Sequence, residues 1–275
     1  MRIDGGRYEL LGALGSGAMG IVWQARDHVL GIDVAIKTLR AELAGDRDAA
    51  KRLLDEARIC ARMSSPHVVK VLAVVDGDDG PFVVYEELAG ETLAERLDRE
   101  GKLSFAVTED IVSQIARALT RCHMLGIVHR DVKPENVFLV PQPNGRVLAK
   151  LIDFGIAYDP RTSDPVIAGT PEYMAPETLF ARRAPDARID VYALAVVAYE
   201  CLTGHRPFAG ADIEAVRALI AREAPPITDF RADLDLGVDV WMVRALHRDP
   251  HRRYQSAKAL VQGLSAVATP LPLAA

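Results

Sequence analysis

The sequence has few cysteines and no surplus of basic residues, and each shortage excludes a class of protein. Only Cys60, Cys122 and Cys201 occur in 275 residues, which favours reduced thiols over a disulfide framework. The 33 lysines and arginines are outnumbered by 38 aspartates and glutamates, so the net charge is −5. Nucleic-acid binding needs a basic face that neutralises phosphates, and we therefore expect no nucleic-acid partner.

Long apolar runs are also missing from the chain. No uninterrupted stretch reaches the ~18 apolar residues of a membrane-spanning helix, and the N-terminus lacks the apolar segment of a signal peptide. The hydrophobic fraction of 49% and the charged fraction of 26% are typical of globular domains. We expect one large domain or two packed lobes, no membrane contact by this segment, and a tail or the start of a linker at residues 268–275.

The spacing of apolar residues divides the chain into a β-rich part and an α-rich part. Between Arg7 and Glu87, five runs with a period near two predict five antiparallel strands, and the segment Asp46 to Met63 between them is helical. After Gly90 the period becomes helical. Within this second part, Asn144-Gly145 lies between two apolar runs and predicts a hairpin. The fold class predicted is α+β.

A glycine-rich segment and two buried charges suggest a phosphate site. Residues 15–20 read Gly-Ser-Gly-Ala-Met-Gly, a backbone that can approach phosphate oxygens closely. A dinucleotide-binding loop would open a helix, but residues 21–25 are strand-like. Lys37 lies in an apolar strand and needs an anion there, and Glu56 lies on the apolar face of the predicted helix. We expect Lys37 and Glu56 to pair; the alternative is two charges that reach the surface.

Three further motifs identify a family. Residues His129 to Asn136 read His-Arg-Asp-Val-Lys-Pro-Glu-Asn, residues 153–155 read Asp-Phe-Gly, and residues 169–177 read Gly-Thr-Pro-Glu-Tyr-Met-Ala-Pro-Glu. With the glycine-rich segment and Lys37, they stand in the order of the protein-kinase signature. From about Tyr8 to Leu264 the sequence resembles a eukaryotic-like bacterial serine/threonine protein kinase.

The resemblance implies a fold and an activity. It implies a two-lobed kinase domain over residues 8–267, with a small N-lobe (about 8–86) of five antiparallel strands plus one helix, a hinge (about 86–91) and a mainly helical C-lobe (about 92–267). It implies transfer of the γ-phosphoryl group of Mg-ATP to serine or threonine hydroxyls of proteins, with Mn²⁺ as the alternative cation. The expected compartment is the cytoplasm, either for the whole protein or for the cytoplasmic domain of a longer, membrane-anchored one. Substrate and oligomeric state stay open.

The resemblance also implies residue roles. Asp131 would orient the acceptor hydroxyl, Lys133 would offset charge on the γ-phosphoryl group, and Lys37, positioned by Glu56, would hold the α- and β-phosphates. Thr170 is expected to contact Asp131 and Lys133. The implied metal ligands are Asn136 and Asp153. The implied nucleotide contacts are Gly15, Ser16, Gly17, Gly20, Val22, Ala35, Lys37, Glu86, Leu88, Phe138 and Asp153.

Kinases with an arginine at the position of Arg130 commonly pair it with a phosphate on the activation loop. The usual acceptor position holds Val166. The hydroxyl-bearing residues between Gly155 and Gly169 are Tyr158, Thr162 and Ser163, and of these Thr162 and Ser163 are the candidate phosphosites. In the alternative, Asp164 supplies a permanent negative charge.

Two other functions are weighed against an active protein kinase: an ATP-binding pseudokinase scaffold and a small-molecule phosphotransferase. A pseudokinase normally shows damage at a motif position, whereas Lys37, Glu56, Asp131, Asn136 and Asp153 are all intact. Small-molecule phosphotransferases of related fold usually lack the combination of motifs found here. Both alternatives are therefore disfavoured.

Overall fold

The computed structural model describes residues 1–17, 19–77, 80–160, 169–180, 185–210, 212–220 and 222–268. The chain divides into two compact units. The first comprises Met1–Ala89 with Ile152–Gly155, and the second comprises Gly90–Leu151 with Ile156–Ala275. The Asp-Phe-Gly motif therefore belongs to the first unit, although it follows Gly90–Leu151 of the second unit along the chain.

One antiparallel sheet forms the first unit. Its strands are β1 (Arg2–Ile3), β2 (Tyr8–Ser16), β3 (Gly20–Asp27), β4 (Ile32–Leu39), β5 (Val71–Gly77) and β6 (Gly80–Glu86). They lie in the order β1-β2-β3-β4-β6-β5, and each neighbouring pair is antiparallel. The five predicted strands are present. The sixth, β1, has two residues, which is too short to show a period.

The register of this sheet separates a hydrophobic core from the candidate site. One face carries the buried cluster Tyr8, Ala25, Val34, Ile36, Phe82 and Val84. On β4, Lys37 lies opposite Val22 of β3, and Ala35 lies opposite Tyr85 of β6. Directly paired residues point to the same side of a sheet. Val22, Ala35, Lys37 and Tyr85 therefore share the face opposite the core.

Helix α1 (Arg47–Ala61) lies against this sheet and contacts β4, β5 and β6. It begins at Asp46, whose carboxylate accepts hydrogen bonds from the backbone of Asp48 and Ala49, a stabilising helix start. Leu53, Glu56 and Cys60 are buried on one side of the helix, as the spacing predicts. A carboxylate is thus held inside the first unit.

The second unit is mainly helical. Its helices are α2 (Leu93–Glu100), α3 (Phe105–Met124), α4 (Pro176–Phe180), α5 (Arg188–Thr203), α6 (Ile213–Ile220), α7 (Gly237–Ala245) and α8 (Ala257–Ala268). Its small sheet consists of β7 (Glu91–Thr92), β8 (Val137–Pro141) and β9 (Val147–Leu151). Strands β8 and β9 form the predicted hairpin, with Gly145 at a positive φ of 77° in the turn. None of the helices in the described ranges is long and apolar enough to cross a membrane.

Helix α5 is the core of this unit. It is buried along almost its whole length and contacts α3, α7 and α8. It ends at Gly204, which adopts a left-handed conformation that glycine tolerates without steric cost. The two lobes that the kinase resemblance implies, one built on a sheet and one mainly helical, are both present.

Candidate active site

Lys37 and Glu56 form the predicted ion pair in the first unit. The Lys37 Nζ lies 2.8 Å from Glu56 Oε1 and 2.7 Å from Oε2. It also lies 3.5 Å from Asp153 Oδ1. The Glu56 side chain is 1% exposed and that of Lys37 is 15% exposed, whereas that of Asp153 is 44% exposed. The ammonium therefore lies between an enclosed carboxylate and an accessible one.

Burial and charge act in opposite directions on this pair. Burial lowers the pKa of Lys37, but the carboxylates of Glu56 and Asp153 outweigh burial and raise that pKa above its usual value. Burial raises the pKa of Glu56, and the neighbouring Lys37 opposes that rise. Lys37 is therefore held as a cation, the form that binds phosphate.

The glycine-rich segment is the tip of the β2–β3 hairpin. Ser16 pairs with Ile21 and Gly15 pairs with Val22, so the segment leads into a strand and not into a helix. The Gly17 N–H donates to the Gly20 carbonyl at 2.9 Å. A Cβ added at Gly15 or Gly17 would meet nothing within 4 Å, so the space beside their backbone is open to a ligand.

A further contact supports this hairpin tip. Arg40, just after β4, donates from Nε to the Gly17 carbonyl at 2.7 Å, and its backbone N–H donates to the Met19 carbonyl at 3.2 Å. No sequence motif contains Arg40, so the sequence alone does not indicate this contact. The arginine restrains the backbone of the segment expected to contact phosphate.

The residues expected around adenine fall in both units. Val22 and Ala35 share the sheet face with Lys37, as described above. The Glu86 N–H donates to the Lys70 carbonyl at 3.0 Å, so an adenine contact at this residue would use its carbonyl oxygen. Leu88 follows in the first unit and is half-buried. Phe138 belongs to the second unit, on β8, where it pairs with Thr92 and Lys150.

In the second unit, Asp131 accepts hydrogen bonds from two side chains and forms an ion pair with a third. Its Oδ1 accepts from the Thr170 hydroxyl at 3.0 Å, and its Oδ2 lies 2.9 Å from Asn136 Nδ2 and 3.0 Å from Lys133 Nζ. Lys133 also donates to the Thr170 hydroxyl at 2.8 Å. The predicted contacts of Thr170 with Asp131 and Lys133 are therefore confirmed. The carboxylate already binds a hydroxyl group, so its position suits hydroxyl chemistry.

The side chains expected to hold a metal offer oxygen ligands. Asn136 donates from Nδ2 to both the backbone and the side-chain oxygen of Asp131, which directs its amide oxygen away from Asp131. Asp153 accepts from the Gly155 N–H through Oδ1 and is partly exposed. Amide and carboxylate oxygens are the donors that Mg²⁺ prefers, so each of these side chains, in its own unit, offers a suitable donor.

Asp190 positions the segment that carries Asp131. Its buried carboxylate accepts from the backbone N–H groups of His129 and Arg130 and from His123 Nε2, each at 2.8 Å. Burial opposes its ionisation, but these hydrogen bonds outweigh burial and lower the pKa of Asp190. Arg130 has a φ of 68°, which is rare for a residue other than glycine. Asp190 therefore stabilises a strained backbone beside Asp131.

An ion pair holds the end of the motif region. Glu177 pairs with the fully buried Arg253 through two contacts of 2.7 Å. The candidate phosphosites Thr162 and Ser163, and Asp164, lie outside the described residues.

The chain is similar to known bacterial kinases along nearly its whole length. The family model described as "Protein kinase domain" matches residues 8–264. Serine/threonine-protein kinase PknA of Mycobacterium tuberculosis is 36% identical over 95% of this chain and 61% of its own length. Kinase drp72 of Corynebacterium efficiens is 36% identical over 94% of the chain, and pkn3 of Myxococcus xanthus is 34% identical over 95%; both are covered over 50% of their length. The chain thus spans about half the length of these curated relatives.

Proposed function

Because the chain belongs to the protein kinase family, we propose that it transfers the γ-phosphoryl group of Mg-ATP to serine and threonine hydroxyls of proteins. The family uses ATP and a divalent cation in general, and the choice of Mg²⁺ over Mn²⁺ is part of the proposal. The proposed domain runs over residues 8–267, with lobes bounded at about residues 86 and 92. The relatives named above are serine/threonine-protein kinases, which supports the acceptor class.

The observation that carries the proposal is the cluster of Asp131, Lys133, Asn136 and Thr170. Asp131 would accept the proton of the acceptor hydroxyl as its oxygen bonds to the γ-phosphorus and the bond to the ADP oxygen breaks. Lys133 is already at 3.0 Å from that carboxylate, where its charge would offset negative charge on the transferred group. The short segment between residues 131 and 136 thus supplies a base, a cation and a metal ligand.

The first unit would hold the nucleotide. Lys37 is a cation fixed by Glu56, and we propose that it binds the α- and β-phosphates. Gly15, Ser16, Gly17 and Gly20 would let the backbone of the hairpin tip approach the phosphates closely, and Val22 and Ala35 would contact adenine. Asp153 and Asn136 would hold Mg²⁺, which when bound neutralises charge on the phosphates.

Two finer points belong to the same proposal. We propose that the protein phosphorylates its own activation loop at Thr162 or Ser163, because Arg130 beside Asp131 can pair with a phosphate. We also propose that it acts in the cytoplasm. The three cysteines are buried thiols, the state that a reducing compartment maintains.

The test is phosphate transfer by the purified chain from labelled ATP to a generic basic protein, with phosphoamino-acid analysis of the product. Asp131→Asn removes the carboxylate that handles the hydroxyl but leaves the phosphate-binding residues intact. We expect this variant to fold and to bind ATP normally, with turnover reduced by about 10²- to 10⁴-fold, the usual contribution of general-base catalysis.

The matched control is Asp110→Asn, which makes the same chemical change on α3, where Asp110 contacts Arg146 and Gln114. It should transfer phosphate like the wild type. Near-wild-type turnover by Asp131→Asn would contradict the proposal. Nucleotide binding without transfer by the wild type would favour the pseudokinase instead.

A further inference from the structure

Tyr85 contacts the candidate site through its hydroxyl group. It lies on β6 with only 5% of its surface exposed, and its hydroxyl donates to Glu56 Oε1 at 3.1 Å. Its partners across the sheet are Ala35 on β4 and Val71 on β5. A phenylalanine would fill the same volume, so ring packing alone does not account for the hydroxyl. The Glu56 carboxylate does account for it, because a buried hydroxyl needs a hydrogen-bond partner.

Tyr85 is the second donor to Glu56, and it matters because Lys37 interacts with more than one anion. Its ammonium contacts both oxygens of Glu56 and lies near Asp153. In the proposed function Lys37 must also bind phosphates, which weakens its ion pair with Glu56. A neutral donor that does not move would then keep the buried carboxylate in place.

We propose that Tyr85 is a positioning residue for the phosphate-binding lysine: its hydroxyl holds the Glu56 carboxylate charged and correctly oriented, and Glu56 in turn places Lys37. The inference rests on the proposed function for its effect on turnover. The contact on which it depends lies wholly within the first unit.

The surroundings of Glu56 predict a dependence on pH. Lys37 faces it from β4, Tyr85 from β6 and Asp153 from the segment 152–155. Cys60 lies one turn further along α1 and contributes to raising the pKa of both Lys37 and Tyr85. Burial and Asp153 favour the protonated carboxyl, whereas Lys37 and Tyr85 favour the carboxylate. Burial also raises the pKa of Tyr85 far above its usual value, so its hydroxyl keeps its proton and remains a donor.

The test is Tyr85→Phe, which removes the hydroxyl and keeps the ring. We expect kcat to fall about three- to tenfold with a smaller change in the KM for ATP, since the lost interaction acts through Lys37. Without the Tyr85 donor the pKa of Glu56 rises, and Glu56 becomes protonated at a higher pH. The acidic limb of the pH–kcat profile should therefore move to higher pH.

Tyr199→Phe is the matched control. It removes a buried tyrosine hydroxyl that donates to the Pro225 carbonyl, also at 3.1 Å, but in the second unit. It should leave both kcat and the pH profile unchanged. A second readout needs no activity: ¹³C NMR titration of labelled glutamate in the ATP-free protein should show a higher pKa for Glu56 in Tyr85→Phe only.

The outcomes separate the two hypotheses. An unchanged Glu56 titration in Tyr85→Phe overturns the positioning role, whatever the activity. Wild-type kcat and an unmoved acidic limb in that variant overturn it as well. If the wild type transfers no phosphate while the Glu56 pKa still rises in Tyr85→Phe, the proposed function is wrong, but the stabilisation of the Glu56 carboxylate by the Tyr85 hydroxyl is supported.

Discussion

Lys37 shows what burial requires of a charged side chain. Its ammonium is enclosed within the first unit and is compatible with that position only because Glu56 and Asp153 lie beside it. Replacing a buried pair with apolar groups can be neutral, but removing one partner leaves a charge without compensation. The pair is therefore weak support for stability, and the proposed contact of Lys37 with phosphate would give it a functional reason.

At the same scale, Lys37→Met should lower turnover far more than nucleotide affinity. A charge held on the α- and β-phosphates contributes most once the transfer geometry is reached, and loss of such a group typically costs about 10²- to 10³-fold in kcat. The check is kcat from steady-state assays beside the ATP Kd from direct binding. Lys51→Met, on the exposed face of α1, is the control and should behave like the wild type. If Lys37→Met keeps its turnover, the phosphates are held elsewhere.

At the scale of the element, glycine occupies three positions of the β2–β3 hairpin for different physical reasons. Gly20 packs so tightly on β4 that an added Cβ would lie 2.4 Å from the Thr38 carbonyl oxygen. Gly15 and Gly17 have open space beside them, and none of the three has a positive φ. Gly20 is thus required by the fold, whereas Gly15 and Gly17 are free to serve a ligand.

This difference predicts opposite outcomes for one substitution. Gly20→Ala should lower the free energy of unfolding by about 1–3 kcal/mol, because the strands must separate to admit the methyl group. Gly15→Ala should leave it within about 0.5 kcal/mol but raise the KM for ATP, because the methyl group would occupy the space where phosphate is proposed to bind. Thermal unfolding and ATP-dependent kinetics measure the two effects. Equal stability of both variants would refute the packing explanation for Gly20.

Long elements and adjacent motifs were predictable from the sequence, and short elements and distant contacts were not. The period of two predicts β3 and β4, and Asp46 predicts the start of α1, because these signals are local. Strands β1 and β7 have two residues each and carry no period. The Lys37–Glu56 pair follows from the need of each buried charge for a partner. The hydrogen bond from the Tyr85 hydroxyl to Glu56 was not predictable, because it depends on how α1 lies against β6.

At the scale of the whole molecule, the core of the second unit fixes the geometry of the Asp131 segment. Helix α5 is buried almost throughout, and its Asp190 holds two consecutive backbone N–H groups just before Asp131. A positive φ at Arg130 costs roughly 1–3 kcal/mol and persists only where surrounding contacts impose it. The stability of the helical core thus maintains the strained conformation beside the proposed base.

The same arginine gives the last prediction, which concerns activation of the protein as a whole. Burial lowers the pKa of Arg130, although Asp190 and Tyr158 oppose that effect, so a further anion nearby would stabilise the guanidinium. A phosphate with a charge of about −2 makes stronger arginine contacts than one carboxylate. We expect autophosphorylation at Thr162 or Ser163 and a several-fold rise in activity.

Mass spectrometry after incubation with Mg-ATP locates the phosphate, and Asp131→Asn, which should stay unmodified, excludes a contaminating kinase. The double variant Thr162→Ala/Ser163→Ala should show only the basal rate. Full activity of that variant without phosphate would instead assign the role to Asp164.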